Sequence, residues 1–239
     1  MRLIAHRGAS GTHPENTLAA FRAAWAAGAD AVEFDVQRSK DGALVVVHDD
    51  TLARTAGDPR RVGEATLAEL KGLDAGAWKD PRFAGERIPT LAELVDAAPA
   101  GCWFNLEVKQ PESGAPYAGI ERDVKAFLDA RPEVKARTLV SSFHQPTLRA
   151  LRALDASVRL GVLPGRTPID AAFALAAELR AESMNVNLER LTPEWAARAK
   201  AAGLSLLVYT IVEQGQLDRA AALGADGVFS NFPGLRVPA

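Results

Sequence analysis

The chain has 239 residues, 48% of them hydrophobic, and a formal net charge of −2. This length suits one large domain, which we place at residues 1–239. Acidic and basic residues are interspersed, so the sequence offers no electrostatic footprint for nucleic acid or for stable association with a membrane surface. A single cysteine, Cys102, excludes an internal disulfide. Without a signal peptide or an apolar run long enough to span a membrane, we expect a cytoplasmic protein.

Eight short β-rich segments recur along the chain. Each is apolar enough to be buried on both faces, as strands of a parallel sheet are. The segments lie at 2–5, 31–36, 102–108, 138–143, 158–163, 183–188, 205–210 and 227–230.

Segments with helical periodicity separate most of these strands, at 15–28, near 90–97, and at 121–130, 145–154, 168–181, 192–203 and 213–224. Thr192 before Pro193 is typical of a helix N-cap, and Gly28, Gly203 and Gly224 are typical of helix C-termini. Parallel strands need crossovers of this kind to return the chain to the starting edge. Eight repeats favour an α/β fold of the closed (β/α)8 type, a TIM barrel, over an open doubly wound sheet.

Two departures from a minimal barrel are predicted. Asp41-Gly42 within residues 40–50 is a hairpin turn signal, so an extra short strand follows the second barrel strand. Residues 51–89 then form a long insertion rich in Gly, Pro, Arg and Asp, and long loops in compact domains are usually functional. Few residues follow the eighth strand, so the last helix is reduced or missing.

Ionisable residues fall where the predicted strands end. The active site of a TIM barrel forms at the carboxyl ends of its strands, so polar residues there favour a functional interpretation. The first three predicted barrel strands and the extra strand supply these residues: His6, Arg7, Glu33, Asp35, His48, Asp49, Glu107 and Lys109.

Three acids in this set point to a metal. Glu33 and Asp35 are two apart on one strand and share a face, and Glu107 comes from the next barrel strand. At the low-dielectric end of a barrel such carboxylates repel one another unless a cation neutralises their charge. Oxygen ligands without thiolates favour a hard ion, Mg²⁺ or Ca²⁺. The alternative is a structural network of ion pairs with Arg7 and Lys109.

The remaining residues of the set suit phosphoryl chemistry. His6 and His48 can divide the roles of acid and base near neutral pH. Arg7 offers a planar fork to phosphate oxygens and Lys109 a point charge. Of the other histidines, His13 lies in a loop and His144 at a helix start, so we assign them no catalytic role.

These residues belong to longer motifs that resemble one enzyme family. The motifs are HRG at 6–8, PENT at 14–17, GADAVEFDVQRSKDGALVVVHDDTLARTAG at 28–57, IPTLAEL at 88–94, NLEVK at 105–109 and SSF at 141–143. Together they resemble the glycerophosphodiester phosphodiesterase family over nearly the whole chain. The resemblance implies a TIM barrel that hydrolyses glycerophosphodiesters to sn-glycerol 3-phosphate and an alcohol such as choline, ethanolamine or glycerol, with Mg²⁺ or Ca²⁺.

The resemblance also implies a role for each matching residue. The metal ligands would be Glu33, Asp35 and Glu107, the acid and base His6 and His48, the phosphate contacts Arg7 and Lys109, and the pocket aromatics Trp78, Phe143 and Tyr209, with Phe83 as an alternative to Trp78. In the opening run we expect Gly8 to let the backbone pass near phosphate, Asn16 or Thr17 to cap the first helix, and Glu15 to be a structural tie.

The sequence departs from the family pattern at two strand ends. Tyr209-Thr210 stands where the family commonly has Trp-Thr, and Ser230-Asn231 where it commonly has Thr-Asp. Neither change removes a metal ligand or a histidine, so they put the shape of the pocket in doubt rather than the reaction.

The residues leave two other functions open. The same barrel could act on lipids, as a lysophospholipase D or a phospholipase C-like enzyme, but the insertion offers a lipid only Leu73, Trp78 and Phe83 as apolar contacts. A barrel that binds phosphorylated ligands without catalysis is the second alternative, since fold alone does not fix function.

Overall fold

The computed structural model describes residues 1–110 and 117–237. Within these ranges the chain forms a nine-stranded sheet. The strands are β1 Arg2–His6, β2 Ala31–Arg38, β3 Leu44–Val46, β4 Trp103–Val108, β5 Thr138–Ser142, β6 Arg159–Val162, β7 Ser183–Asn187, β8 Ser205–Ile211 and β9 Gly227–Ser230.

Eight of these strands close into a barrel. The order β1-β9-β8-β7-β6-β5-β4-β2 is parallel throughout, and β1 also pairs with β2, which joins the two edges. The predicted closed (β/α)8 barrel is therefore confirmed. The assignment of residues 1–239 to one domain stays a prediction, and residues 238–239 at its end lie outside the described ranges.

Helices lie between the barrel strands. They are α1 Leu18–Ala26, α2 Ala53–Ala56, α3 Leu67–Gly72, α4 Leu91–Ala97, α5 Ile120–Asp129, α6 Pro132–Lys135, α7 Gln145–Leu154, α8 Ile169–Glu178, α9 Pro193–Ala201 and α10 Gln214–Ala222. Short 3₁₀ turns occupy Val62–Glu64, Pro81–Phe83 and Leu188–Arg190.

The helix ends follow the sequence signals. Thr192 caps α9, with Pro193 as the first helical residue, by accepting a hydrogen bond from the backbone of Trp195. Of the two candidates for the α1 cap, Thr17 is the one that accepts from the backbone, at Ala20.

Both departures from a minimal barrel are present. Strand β3 pairs antiparallel with β2, as the hairpin signal predicts. The insertion carries α2 and α3 and forms a small apolar core of its own with β3, which consists of Val45, Val47, Leu52, Val62, Ala65, Leu70, Ala75 and Ile88. After β9, residues 231–237 contain no helix, so the predicted reduction of the last helix holds for the described part of the chain.

Alternation along the strands sorts side chains between the barrel interior and the helices. In β2, Val32, Phe34 and Val36 belong to the main apolar core that the strands form with the helices. Glu33 and Asp35 lie on the opposite face, inside the barrel, because successive side chains of a strand point to opposite faces. The acids are buried as a consequence of strand geometry.

The interior beneath the acids is polar and hydrogen-bonded. Asn105 on β4 donates a hydrogen bond to Ser141 at 3.0 Å and accepts one from Asn185 at 3.4 Å. Ser183 donates to Asn185 at 2.7 Å. Gly161 on β6 leaves room for this network, since a Cβ there would lie 2.6 Å from the Ser183 hydroxyl oxygen. These hydrogen bonds form a fixed floor below the site.

None of the helices in the described ranges has the length and the apolar character needed to cross a membrane. The cytoplasmic location stays a prediction.

We predict that Leu151→Ala in α7 destabilises the barrel strongly and Leu154→Ala does not. Leu151 is fully buried, whereas Leu154 in the same helix is 39% exposed. Deleting a buried leucine side chain typically costs about 2–5 kcal/mol of unfolding free energy, because contacts are lost and a cavity remains. Urea unfolding of both variants measures the difference, and equal losses would contradict the packing described.

Candidate active site

The register of the strands brings the predicted site residues together. His6 at the end of β1 is paired with Glu33 on β2. On the other side of β2, Glu33 is paired with Asn105 and Asp35 with Glu107 on β4. The imidazole of His6 and the three carboxylates therefore belong to adjacent strands near the carboxyl end of the barrel, where the sequence places them.

The three acids form a cluster of the kind that binds a metal. Glu33, Asp35 and Glu107 each offer a carboxylate oxygen within 4.8 Å of the others. One oxygen of Asp35, Oδ1, is buried and has no hydrogen-bond donor among the described residues. An unsatisfied buried carboxylate oxygen is costly, so this atom is a suitable ligand for a cation.

Two cations balance part of this charge. Arg7 Nε lies 3.2 Å from Asp35 Oδ2, and Lys109 Nζ lies 2.9 Å from Glu107 Oε1 and 3.6 Å from Asp35 Oδ1. Burial opposes ionisation of Asp35, but Arg7 and Lys109 outweigh it and hold the pKa of that carboxyl well below its usual range. The ion pairs of the alternative interpretation therefore exist.

The ion pairs do not balance all three acids. Burial, together with repulsion from Asp35 and Glu107, raises the pKa of Glu33 well above its ordinary value. Burial also raises the pKa of Glu107, although Lys109 opposes the shift. The surplus negative charge and the carboxylate-only ligand set fit a hard divalent cation such as Mg²⁺ or Ca²⁺.

His6 is held between an amide and an acid. Its Nδ1 lies 2.7 Å from the side-chain oxygen of Asn231, and its Nε2 lies 3.8 Å from Glu33 Oε2. Burial and the nearby Arg7 lower the pKa of His6 to about 4. The ring is therefore neutral near physiological pH and can accept a proton.

His48 lies just beyond β3 and has a carboxylate partner. Its Nδ1 is 2.7 Å from Asp49 Oδ1. The backbone around it is fixed by buried Gln37, whose Nε2 donates to the carbonyl oxygens of Val47, His48 and Asp49 at 3.1, 3.0 and 2.7 Å. Tyr117 donates to Gln37 Oε1 at 2.6 Å. Sequence analysis missed Gln37, although its position two residues after Asp35 on the same strand face was a usable signal.

The loop after β1 holds two non-glycine residues in a left-handed conformation. Arg7 has φ 54° and Asn16 has φ 59°. Non-glycine residues with positive φ are uncommon and cluster at functional sites. Asn16 uses this conformation to donate from Nδ2 to Asp35 Oδ2 at 2.9 Å, so it supports a site acid instead of capping α1.

Two more residues of the opening run have structural partners. Gly8 has φ +79°, and a Cβ there would lie 2.6 Å from the carbonyl carbon of Ala20 in α1, so glycine is needed for this close approach. Its proximity to phosphate stays a prediction. Glu15 accepts a hydrogen bond from Arg7 at 3.0 Å and two more from Arg54, which makes it the structural tie that the sequence predicts.

A cavity of about 260 Å³ opens above these groups. Its walls include predicted site residues of every class: His6, Arg7, Glu33, His48, Glu107, Lys109, Phe143 and Tyr209. Asp35 is fully buried below it. The cavity thus combines carboxylates, two imidazoles, a guanidinium and an ammonium.

The aromatic residues divide into two groups. The rings of Phe143 and Tyr209 meet edge to face with centroids 6.1 Å apart and form part of the cavity wall. Trp78 is not among the residues that line the cavity, and Arg54 and Lys79 lie against its ring. Phe83 also lies outside and packs against His13. Neither aromatic of the insertion lines this cavity, and contact of Trp78 with substrate stays a prediction.

Comparisons with known proteins agree with this geometry. The family model of the glycerophosphoryl diester phosphodiesterase family matches residues 6–235. A glycerophosphodiester phosphodiesterase of Caldanaerobacter subterraneus subsp. tengcongensis is 36% identical over 97% of this chain and 94% of its own.

Solved structures of similar proteins have the same barrel. An Oleispira antarctica phosphodiesterase, in complex with the product sn-glycerol-3-phosphate, superposes with a TM-score of 0.86 at 33% identity, covering 98% of this chain and 94% of its own. A glycerophosphodiester phosphodiesterase from Agrobacterium tumefaciens superposes with a TM-score of 0.84 at 26% identity, covering 98% and 97%. Because the family model matches nearly the whole chain, the chain belongs to the glycerophosphoryl diester phosphodiesterase family.

Proposed function

We propose that this protein hydrolyses glycerophosphodiesters, such as glycerophosphocholine and glycerophosphoethanolamine, to sn-glycerol 3-phosphate and an alcohol. The observation that carries the proposal is the single cavity that joins a carboxylate cluster, two histidines, an arginine and a lysine. Family membership supports it, and so does the product held by the related Oleispira antarctica enzyme.

The carboxylates of Glu33, Asp35 and Glu107 would hold a divalent cation, Mg²⁺ or Ca²⁺. When bound, the cation supplies a Lewis acid that withdraws charge from phosphoryl oxygens. The Oδ1 atom of Asp35, which accepts no hydrogen bond from the described residues, supports this assignment. Arg7 and Lys109 line the same cavity and would bind phosphoryl oxygens, which a guanidinium fork and an ammonium suit.

The two histidines have different partners, which favours different roles. His6 has an amide partner and a lowered pKa, so its ring is neutral before substrate binds, and we assign it the base that takes the proton of the glycerol 2-hydroxyl. His48 has the carboxylate of Asp49 beside Nδ1, which fixes the orientation of its ring, so we assign it the acid that protonates the leaving alcohol.

The reaction then proceeds in two displacements at phosphorus. The glycerol oxygen attacks first, the alcohol leaves, and a cyclic phosphate forms. Water opens the cyclic phosphate in the second step, with the roles of His6 and His48 reversed. Phe143 and Tyr209 contact the organic part of the substrate from the cavity wall. Trp78 would contact the substrate only if its alcohol group is long enough to extend beyond the cavity.

We predict that His6→Gln and His48→Gln each lower kcat by about 10²-fold or more, the usual loss when an acid or base is removed. His13→Gln is the control, because His13 is outside the cavity lining. A coupled assay for glycerol 3-phosphate measures the rates, and circular dichroism checks the fold. Rates near wild type in both variants would defeat the assignment.

We predict that EDTA abolishes activity, that Mg²⁺ or Ca²⁺ restores it, and that Glu33→Gln requires more cation for the same rate. Because the raised pKa of Glu33 favours its neutral form without a cation, glutamine preserves the shape and charge of that state. The fold should therefore persist while a ligand is lost. Glu194→Gln is the control, because the Glu194 side chain on α9 is 65% exposed. Indifference of the wild type to EDTA would support the ion-pair alternative.

We predict faster turnover of glycerophosphocholine than of lysophosphatidylcholine, because the apolar residues Trp78 and Phe83 lie outside the cavity and form no platform at its wall. Parallel assays of choline and glycerol 3-phosphate release separate the alternatives. Faster turnover of the lysophospholipid would favour a lipid phosphodiesterase. Binding of glycerophosphocholine without product release would favour a non-catalytic barrel.

A further inference from the structure

The side chain of Arg54, in helix α2 of the insertion, engages two carboxylates at once. Its Nε and Nη2 donate to Asp49 Oδ2 and Oδ1 at 2.6 and 3.1 Å. Its Nη1 and Nη2 donate to Glu15 Oε2 and Oε1 at 2.8 and 2.7 Å. Only a planar guanidinium can form both bidentate contacts from one side chain.

Each carboxylate also contacts a residue of the cavity. Asp49 Oδ1 is 2.7 Å from Nδ1 of His48, and Glu15 Oε1 accepts a hydrogen bond from Nη1 of Arg7 at 3.0 Å. A continuous series of contacts therefore runs from His48 through Asp49, Arg54 and Glu15 to Arg7. It connects the segment after β3, the insertion and the loop after β1.

The guanidinium of Arg54 lies between the two carboxylates of Asp49 and Glu15 and pairs with both. Burial opposes ionisation of Glu15, but Arg54 and Arg7 lower the pKa of its carboxyl. The pKa of Asp49 falls to about 2, because hydrogen bonds from Arg54 and His48 outweigh partial burial. Without Arg54, two ionised carboxylates would repel across the space it occupies, and each would move with the residue it supports.

Trp78 limits the motion of this guanidinium. The Arg54 Cζ atom lies 5.4 Å from the centre of the indole ring, which in turn is fixed by a hydrogen bond from Nε1 to the Ala75 carbonyl at 2.9 Å. Stacking of a guanidinium on an indole adds a favourable interaction and restricts its orientation. This gives Trp78 a structural role outside the cavity.

We propose that Arg54 is a positioning residue, through which the insertion holds the imidazole of His48 and the guanidinium of Arg7 in their catalytic orientations. The inference rests on the proposed hydrolysis of glycerophosphodiesters. Arg54 does not line the cavity, so it acts through Asp49 and Glu15 and not on substrate.

The test compares Arg54→Met and Arg54→Lys with Arg60→Met. Arg60 is a matched control, because it lies in the same insertion, is exposed to a similar extent (38% against 42%) and also binds two carboxylates, Asp58 and Glu69. Displacement of catalytic groups by about 1 Å can cost about 10²-fold in rate. We expect Arg54→Met to lower kcat by about 10- to 10²-fold. Arg54→Lys should recover part of the rate, since lysine restores the positive charge but not the two bidentate contacts. Arg60→Met should have the wild-type kcat.

A double-mutant cycle distinguishes positioning from general support of the fold. If Arg54 acts through His48, Arg54→Met should have a much smaller effect on kcat in a His48→Gln background than in the wild type, whereas independent structural effects would multiply. Urea midpoints of Arg54→Met and Arg60→Met should agree. Multiplicative effects in both a His48→Gln and an Arg7→Lys background, or a kcat of Arg54→Met equal to that of Arg60→Met, would overturn the inference. Absence of hydrolysis by the wild type would instead overturn the proposed function.

Discussion

The structure is organised around three carboxylates that strand geometry forces into the interior of the barrel. Glu33 and Asp35 point inward because the alternate residues of β2 form the apolar core, and Glu107 is beside Asp35 because β4 is paired in that register. Repulsion among them determines the surroundings: Arg7, Lys109 and Asn16 all contact Asp35. A divalent cation would balance the negative charge that remains on the three acids.

The two histidines show how one cavity can provide two different proton-transfer groups. Their ring nitrogens face different partners, the amide oxygen of Asn231 for His6 and the carboxylate of Asp49 for His48. Both partners orient their rings, but only the carboxylate carries a charge. Asn231, at one of the positions where the sequence departs from the family pattern, thus bears on His6 more directly than on the shape of the pocket.

The barrel strands and the polar residues at their ends were predictable from sequence, because the patterns that encode them are local. Alternation in β2 predicted the shared face of Glu33 and Asp35 without knowledge of any partner. Contacts between segments distant in sequence were not predictable: Asn231 meets His6, and Arg54 meets Glu15, only after the barrel closes. Trp78 illustrates the same limit, since the path of a long insertion depends on tertiary contacts that composition does not encode.

The apolar cluster of the insertion is separate from the main core of the barrel, although β3 contributes to it. Segments with their own small cores often open locally while the rest of a protein stays folded. Opening of this segment would withdraw Arg54 from Asp49 and Glu15 and leave the parallel sheet intact. Heat inactivation of this protein would then begin below the melting temperature of the barrel, and its thermal tolerance as a catalyst would depend on packing around Leu52, Val62 and Leu70.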